Sequence, residues 1–296
     1  MIRFTKMHGI GNDFVMIDTL QDRLYRDDLD RLAIEMCDRR FGIGGDGLIL
    51  VTKGKSAPFE MRMFNPDGSE SEMCGNGIRC FAKLLQDHGH LHGNSVDVET
   101  GAGTLHLELT DDGMVKVDMG LAHLTRDSVG MVPGGTEHFI DQPLAGYQAT
   151  AVSMGNPHIV IFVDDVKAID LEKIGPTLEN HPSFPKRTNI HFVQVVSANH
   201  LIQRTWERGA GITLACGTGA CSVGAAGFLT GRSERKVSID LPGGQLQIEY
   251  QTDGHVLMTG PATTVFTGDY EPELLVEDDL QLDLAAIAEA ELIEHL

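Results

Sequence analysis

The 296-residue chain lacks the marks of a secreted or membrane protein. Its first residues, MIRFTKMHGIGNDF, do not combine a basic segment with an apolar one, so we expect no signal peptide. No run of about 18 apolar residues occurs, which argues against a membrane-spanning helix. Five cysteines are an odd number in a chain long enough to bury a core, which disfavours a disulfide framework. The composition therefore predicts a cytoplasmic protein.

Basic residues are also scarce. Lys and Arg number 23 against 43 Asp and Glu, which gives a net charge of −20. Nucleic-acid binding needs a basic surface, so this charge argues against such a partner. Residues 267–296 hold ten Asp or Glu and no Lys or Arg. Their apolar positions predict an acidic amphipathic helix over 275–296 that packs on the body or on a partner, with a solvated appendage as the alternative.

What the chain does contain is an internal repeat. FNPDGSESEMCGNG (64–77) aligns without gaps with WERGAGITLACGTG (206–219) at an offset of 142. The alignment pairs Phe64 with Trp206, Asn65 with Glu207, and Cys74 with Cys216. Similar segments flank both stretches, so we predict two homologous halves, 1–119 and 120–262. A strand near 263–274 is expected to return to the first half.

Each half has the same predicted order of elements. Runs of β-branched and aliphatic residues precede the Cys-Gly-x-Gly motif, a helical pattern follows it, and strands around an Asp-Gly turn end the half. This order predicts a mixed α/β fold, mainly antiparallel sheets around a central helix, in two pseudo-symmetric domains. Cys37, Cys80 and Cys221 are expected to be buried hydrophobic residues. Cys74 and Cys216 should meet in the cleft between the domains.

A cysteine at a helix start is a chemically special residue. The free N–H groups and the positive end of the helix dipole are expected to lower its pKa from about 8.5 toward neutrality. The two glycines let the backbone approach a ligand and form a site for a carboxylate. Two such cysteines on opposite sides of one carbon would remove a proton from one face and deliver one to the other. That arrangement inverts a stereocentre.

With these motifs the sequence resembles the diaminopimelate epimerase family, cofactor-independent amino-acid epimerases of lysine and cell-wall biosynthesis. The resemblance runs from KMHGIGNDF to about residue 266. Its ordered motifs are GNDF (11–14), FNPDGSE (64–70), MCGNGIRC (73–80), MGNPH (154–158), TNIHF (188–192), WERGAG (206–211) and ACGTGA (215–220). Two features depart from the family: Gly47 stands in a segment where some members carry Gln, and the acidic tail extends past the expected end.

The resemblance implies roles for particular residues. Cys74 and Cys216 would transfer the proton, with His158 and Glu207 nearby in support. Substrate contacts would come from Asn12, Asn65, Gly75, Asn76, Asn156, Asn189, Glu207, Arg208, Gly217 and Thr218. The substrate would be diaminopimelate, the enzyme a homodimer, and neither pyridoxal phosphate nor a metal would be required.

Structural interpretations of single residues stand beside these roles. Asn65 and Asn156 precede proline, where Asn commonly starts a turn. Glu207 and Arg208 also suit a surface ion pair. His88, His90 and His92, in HGHLHG, are interpreted as surface residues, because no further ligand stands at a spacing typical of a metal site.

Other functions remain open at the level of sequence. Four cysteines spaced C-x5-C and C-x4-C suit a zinc site poorly, since structural zinc sites prefer two to four intervening residues. A redox pair of Cys74 and Cys216 is geometrically reasonable, although the chain has no C-x-x-C motif. A proline or hydroxyproline racemase shares the two-thiol logic, but resembles MCGHG where this chain has MCGNG.

Overall fold

The computed structural model describes residues 1–24 and 27–272. The predicted helix over 275–296 lies outside these residues. Within them the chain forms eighteen strands, four α-helices and one 3₁₀ turn. None of the helices described is long and apolar enough to cross a membrane.

The first half of the chain contains eight strands and two helices. They are β1 (Ile2–Gly9), β2 (Asn12–Asp18), α1 (Leu29–Cys37), β3 (Gly47–Lys53), β4 (Phe59–Phe64), β5 (Glu70–Ser71), α2 (Gly75–Asp87), β6 (Ser95–Thr100), β7 (Gly103–Leu109) and β8 (Val115–Leu121). The predicted central helix is α2, which begins directly after Cys74.

The second half repeats this order with a short additional strand at its start and a long one at its end. Its elements are β9 (Gln142–Leu144), β10 (Tyr147–Ser153), β11 (Pro157–Phe162), a 3₁₀ turn (Val166–Ala168), α3 (Leu171–Glu179), β12 (Asn189–Ser197), β13 (His200–Glu207), β14 (Gly211–Thr213), α4 (Gly217–Leu229), β15 (Lys236–Leu241), β16 (Gly244–Tyr250), β17 (His255–Gly260) and β18 (Thr263–Tyr270). Here α4 begins directly after Cys216.

The strand pairings repeat as well. Strand β2 is parallel to β3 as β11 is to β12, and β4 is parallel to β6 as β13 is to β15. The remaining pairings in the described part are antiparallel, including the hairpins β7–β8 and β16–β17. Gly113 and Gly254 have positive φ at the tips of these two hairpins, as an Asp-Gly turn requires. The predicted mixed α/β fold with mainly antiparallel strands is confirmed.

Two pairings join the halves. Strand β8 pairs with β17, and β1 pairs with β18 from Ile2 opposite Tyr270 to His8 opposite Thr263. Strand β18 thus lies in the region where a returning strand is predicted. The limits 1–119 and 120–262 stay predictions, and β8 continues to Leu121, past the first limit.

The central helices are buried along most of their length. Ten of the thirteen residues in each of α2 and α4 are buried. Helix α4 is rich in glycine, which costs up to about 1 kcal/mol per residue relative to alanine in a helix. Packing accounts for this composition, because a Cβ on Gly224 would lie 2.6 Å from Cγ2 of Ile248. Small residues let the surrounding sheet approach the helix.

The core has three parts. One cluster surrounds α2 and α4 together, while α1 and α3 each cover a separate cluster on the outside of their half. Cys80 and Cys221 are fully buried in the central cluster, and Cys37 is buried under α1. The prediction that these three cysteines are core residues is confirmed. The central cluster spans both halves, so it fixes the starts of α2 and α4 relative to each other.

Candidate active site

Cys74 and Cys216 occupy equivalent positions at the starts of the two central helices. Each is the N-cap residue, with φ near −136° for Cys74 and −135° for Cys216. Both line one cleft of about 1140 Å³ between the halves. The two cysteines therefore lie in one cleft, as predicted.

The glycines of the repeated motif bring the two helix starts into contact. A Cβ on Gly217 would lie 3.5 Å from the Cα of Gly75, so the backbones meet with no side chain between them. The second glycine has a separate role. A Cβ on Gly219 would overlap the His191 ring and lie 2.9 Å from Cys216 Sγ. The first glycine of the motif thus allows the contact across the cleft with Gly75, and the second allows the close approach of His191 and Cys216.

Burial dominates the ionisation of both thiols. It raises the pKa of Cys74, against the backbone N–H groups of Gly77 and Asn76 and the charge of Arg79, which all work to lower it. Burial, reinforced by the charge of Glu207, raises the pKa of Cys216 well above its ordinary value. The prediction that the helix starts bring these pKa values toward neutrality is therefore wrong for this structure. Loss of water around the sulfurs outweighs the helix dipole.

Glu207 lies beside the thiols from the end of β13. Its carboxylate accepts a 2.6 Å hydrogen bond from Thr213 Oγ1 and another from the Cys216 thiol. Burial raises the pKa of Glu207 above its usual range. Its charge also acts on Cys74 across the cleft. Glu207 therefore lies close to the thiols, as predicted from the resemblance.

An amide network supports Cys74. The thiol lies 3.6 Å from Asn12 Oδ1, which also accepts a 3.2 Å bond from Asn76 Nδ2. Asn76 Oδ1 in turn accepts a bond from Arg79, and Asn12 Nδ2 donates a 2.6 Å bond to Asp46. Each amide is fixed in one orientation by a charged neighbour. These two predicted substrate contacts therefore also position the thiol.

A second chain of hydrogen bonds lies behind Cys216. Gln203 donates to His191, whose Nε2 lies 2.9 Å from His158 Nδ1, and His158 Nε2 lies 2.8 Å from Asn156 Oδ1. Burial lowers the pKa of His158 well below its usual range and that of His191 to about 3, so both rings are neutral. With one choice of tautomer for each ring, every hydrogen bond of this chain has one donor and one acceptor. The amide N–H₂ of Asn156 is then left for the cleft.

The cleft collects most of the predicted substrate contacts. Its lining includes Asn12, Asn65, Gly75, Asn76, Asn156, Glu207, Arg208, Gly217 and Thr218. Asn65 also forms the turn that its proline context suggests, with Gly68 N–H donating to its carbonyl. Asn65 therefore has the predicted turn, and its role as a substrate contact stays a prediction.

Two predicted residues lie behind the lining. Asn189 is buried, donates to the Pro157 carbonyl and accepts from the Arg208 N–H. Both ends of its amide are thereby used, and this geometry gives it the role of holding the Arg208 backbone. His158 is fully buried, with a ring nitrogen within 4.8 Å of Cys216 Sγ. It lies near the thiol, as predicted.

Several cleft residues were missed by sequence reasoning. Arg39 donates to both Asp13 and Asp46, and all three side chains line the mouth of the cleft. The only signal for them was the charged pattern around the glycine-rich segment before β3. Asp46 contributes to the lining there, while a Cβ on Gly47 would approach Met63 Cε and the Phe64 carbonyl at 3.0 Å. Gly47 packs against β4.

The histidines of HGHLHG are not all surface residues. His92 is exposed, as predicted, but His88 and His90 are half-buried, and both contact the buried carboxylate of Asp18. That interpretation is therefore wrong for these two. Asp18 belongs to β2, seventy residues away in sequence from His88, so no local spacing revealed the contact.

Two groups of described residues are close enough to hold a metal ion. They are His158 with His191 and Cys216, and Asp18 with His88 and His90. Neither contains two cysteines. The four-cysteine zinc site considered above has no counterpart among the residues described. A metal in the first group would occupy the Cys216 sulfur.

Comparison with known proteins agrees with this geometry. The family model for diaminopimelate epimerase matches residues 4–125 and 150–265, one segment in each half. The chain belongs to the diaminopimelate epimerase family. It is 50% identical over 278 residues to the diaminopimelate epimerase of Moorella thermoacetica, covering 91% of this chain and 99% of that protein. It is 51% identical over 276 residues to diaminopimelate epimerase 1 of a Nostoc species, covering 90% and 99%.

Solved structures show that the fold of this epimerase family extends further. A phenazine biosynthesis protein of the PhzF family from Bacillus anthracis superposes with a TM-score of 0.68 at 17% identity, covering 92% of this chain and 99% of that one. A hydroxyproline epimerase from Agrobacterium vitis, solved with bound trans-4-hydroxy-L-proline, superposes with a TM-score of 0.62 at 14% identity, covering 94% and 96%. At these identities the likeness establishes the shared fold alone.

Proposed function

We propose that the chain inverts one α-carbon of diaminopimelate, interconverting the LL and meso stereoisomers in lysine and peptidoglycan biosynthesis. The observation that carries the proposal is the pairing of Cys74 and Cys216, each at the start of a buried helix and both lining one cleft. Family membership indicates the substrate, and the two thiols supply the chemistry.

Inversion needs a base on one face of the α-carbon and an acid on the other. One cysteine, as thiolate, takes the α-proton, so that a C–H bond breaks and an S–H bond forms. The electron pair delocalises onto the α-carboxylate. The other cysteine then gives its proton to the opposite face, and its sulfur becomes the thiolate. One thiolate and one thiol remain after the reaction, as before it, and the reverse reaction exchanges their roles.

The surroundings of the two sulfurs favour Cys74 as the resting thiolate. Burial raises both pKa values, but that of Cys216 is raised further, because the Glu207 carboxylate faces it and accepts a bond from its thiol. Cys74 instead receives two backbone N–H bonds and lies near the positive charge of Arg79. Cys216 would then begin as the proton donor. Glu207 would take up or return a proton when the roles exchange.

The two helix starts would hold the reacting carboxylate. Helices α2 and α4 both begin at the cleft with a glycine, so their free N–H groups are not covered by a side chain. The positive ends of two helix dipoles converge there, which favours an anion. Charge that develops on the carboxylate as the proton leaves is stabilised by the same groups. This fixed electrostatic environment would replace a cofactor as the electron sink.

The remaining cleft residues suit the unreacting end of a long substrate. We propose that Asn12, Asn65, Asn76, Asn156 and Thr218 bind its amino and carboxylate groups together with Arg208, whose guanidinium can bind a carboxylate bidentately. Asn189 would act through Arg208, whose backbone it holds. Glu207 would serve the substrate ammonium as well as the thiols.

Three further proposals accompany the reaction. We expect turnover without pyridoxal phosphate or metal, a cytoplasmic location, and a homodimer. The first is tested by assaying protein dialysed against a chelator with no cofactor added. Light scattering coupled to size-exclusion chromatography measures the mass of the protein in solution and so tests the homodimer. Fractionation of cells that produce the whole chain tests the location.

The decisive experiment incubates the protein with LL-diaminopimelate in D₂O. The meso isomer should accumulate, and its inverted α-carbon should carry deuterium delivered from solvent through a cysteine. Cys74→Ala and Cys216→Ala should each abolish inversion, because each lacks one of the two proton carriers. Cys37→Ala, at a buried cysteine outside the cleft, is the matched control and should remain active.

Two outcomes would contradict the proposal. Inversion without deuterium incorporation would remove proton exchange from the mechanism. Full inversion by both cysteine variants would show that the thiols do not carry the proton. L-Proline and trans-4-hydroxy-L-proline, assayed in parallel, separate this activity from that of the related fold, and inversion of those substrates alone would replace diaminopimelate with a cyclic imino acid.

A further inference from the structure

Asp18, His88 and His90 form a compact cluster away from the cleft. Asp18 ends β2, His88 directly follows α2, and His90 stands two residues further on. His88 Nδ1 lies 2.6 Å and His90 Nε2 2.7 Å from the same oxygen, Asp18 Oδ2. Helix α2 has thirteen residues and Cys74 caps its other end, so the cluster lies about 20 Å from that thiol.

The carboxylate is held in one orientation. Asp18 Oδ1 accepts backbone N–H bonds of 3.0 Å from Leu20 and 3.3 Å from Gln21. This leaves Oδ2 facing the two imidazoles. Neighbours therefore orient the carboxylate, as they orient the ligands of metal sites.

We propose that Asp18, His88 and His90 bind a divalent transition-metal ion such as Zn²⁺. Two imidazole nitrogens and one carboxylate oxygen are ligands that such an ion prefers, and the three atoms lie within 4.8 Å of one another. Water would complete a tetrahedral site.

The geometry needs little adjustment to admit the ion. Metal–ligand bonds of about 2.0–2.2 Å place tetrahedral ligands roughly 3.3 Å apart, so each imidazole moves about 0.6 Å away from Asp18 Oδ2. The side chains of His88 and His90 are 23% and 20% exposed, which allows this movement and gives the ion a path from solvent. Asp18 is only 5% exposed and would stay in place.

The ion would act as a structural staple. It would join the end of β2 to the chain that follows α2, segments seventy residues apart in sequence. Both elements also carry site residues at their opposite ends, Asn12 and Cys74. Because those ends are distant from the cluster, metal binding should stabilise the fold without occupying the cleft. A metal at His158, His191 and Cys216 would have the opposite effect, since it would block a thiol.

Isothermal titration of the chelator-treated whole chain with Zn²⁺ tests the proposal. We expect one equivalent bound in the Cys216→Ser background, which removes the sulfur of the alternative cluster. His90→Ala in that background should weaken this binding at least about tenfold. His92→Ala changes an exposed histidine of the same segment and should leave the affinity unchanged, so it also controls for weak binding to surface acids.

Two further measurements identify the ligands and the effect. Co²⁺ in the site should show visible bands without the near-ultraviolet band of a thiolate ligand. Zn²⁺ should raise Tm by a few degrees, and His90→Ala should abolish the rise. The proposal is overturned if Zn²⁺ binding and the Tm rise are unchanged in His90→Ala, or if Co²⁺ binding depends on Cys216. A Tm that does not respond to Zn²⁺ in the Cys216→Ser protein overturns it as well.

Discussion

Gly75 and Gly217 touch at the centre of the molecule. A Cβ on either would lie within 3.7 Å of the other's Cα, and Met258 packs against both positions at 3.3 Å. The two residues are equivalent in the repeat, and each is the first residue of its helix. Their contact therefore sets the distance between the thiols that precede them.

Gly217→Ala should impair activity more than stability. The methyl group would lie 3.3 Å from Met258 Sδ, so the Met258 side chain must move by a few tenths of an ångström where it packs against both helix starts. Near-attack geometry is sensitive to such shifts, and we expect kcat to fall about 10–100-fold. Steady-state kinetics and a thermal unfolding curve measure the two effects. Gly93→Ala, at an exposed position with open space around it, is the control. Equal loss in both variants would contradict the prediction.

Glu207→Gln should separate thiol ionisation from catalysis. The Glu207 charge works to raise the pKa of Cys216, so its removal should shift alkylation of Cys216 by iodoacetamide to lower pH. Inversion should nevertheless fall at least about 100-fold, because the proton acceptor is lost. Mass spectrometry after alkylation at a series of pH values measures the shift. Cys80, which burial holds at a pKa of about 12, is the internal reference. Glu72→Gln, at the exposed rim of the cleft, should leave the alkylation midpoint in place.

Arg79→Met should make Cys74 harder to ionise. Arg79 is fully buried, donates to Gly75 O and Asn76 Oδ1, and pairs with no carboxylate among the described residues. Its charge lowers the pKa of Cys74, so loss of the charge should slow alkylation of Cys74 at pH 8. Arg79→Lys keeps the charge and should recover part of the rate. If Met and Lys variants react alike, the role of Arg79 is packing alone.

Glu179→Gln should loosen the end of β13, which carries Glu207, and the loop after it, which carries Arg208. Glu179 is buried and accepts bonds of 2.7 Å from Trp206 Nε1 and 2.9 Å from Gly209 N–H. We expect the free energy of unfolding to fall by about 2 kcal/mol, the scale of hydrogen bonds to a charged group. Chemical denaturation at pH 7 measures it. Glu172→Gln, exposed on the same helix, should have little effect.

The ionisation of Glu179 makes the difference in unfolding free energy between the protein and the Glu179→Gln variant depend on pH. Burial works to raise the pKa of Glu179, but the bonds from Trp206 and Gly209 hold it below its ordinary 4.5. A carboxyl with a depressed folded pKa stabilises fully above its unfolded pKa, and the contribution is lost as pH falls through the folded value. The two proteins should therefore differ most near pH 7 and converge below about pH 4.5. A difference that grows on acidification would contradict this sign.

Local patterns in the sequence were sufficient for the repeated architecture. Hydrophobic alternation, Asp-Gly turns and the helix after each Cys-Gly-x-Gly depend on neighbours within a few residues, and all of them appear in the structure. The offset of 142 residues added the equivalence of Cys74 and Cys216. Resemblance to the family predicted that the Asn side chains contact the substrate, whereas local patterns alone interpret Asn65 and Asn156 as turn residues.

The remaining features depend on contacts between distant segments. Asn189 turns inward because Pro157 and Arg208 use both ends of its amide. His191 is buried by Gly219 and Cys216, and no periodicity in TNIHF marks it as part of the site. Burial then reversed the direction predicted for the thiol pKa values, since solvent exclusion is a property of the assembled core.

The sequence by itself determined that the chain is a duplicated α/β protein with two thiols at two helix starts, because the spacing of side chains along the chain encodes both. Only the tertiary structure decided that Gly75 meets Gly217, that Arg79 lies buried beside Cys74, and that Asp18 binds His88 and His90. Each of these contacts depends on a close approach between atoms of a packed core. Such distances follow from how the elements pack, which no local pattern records.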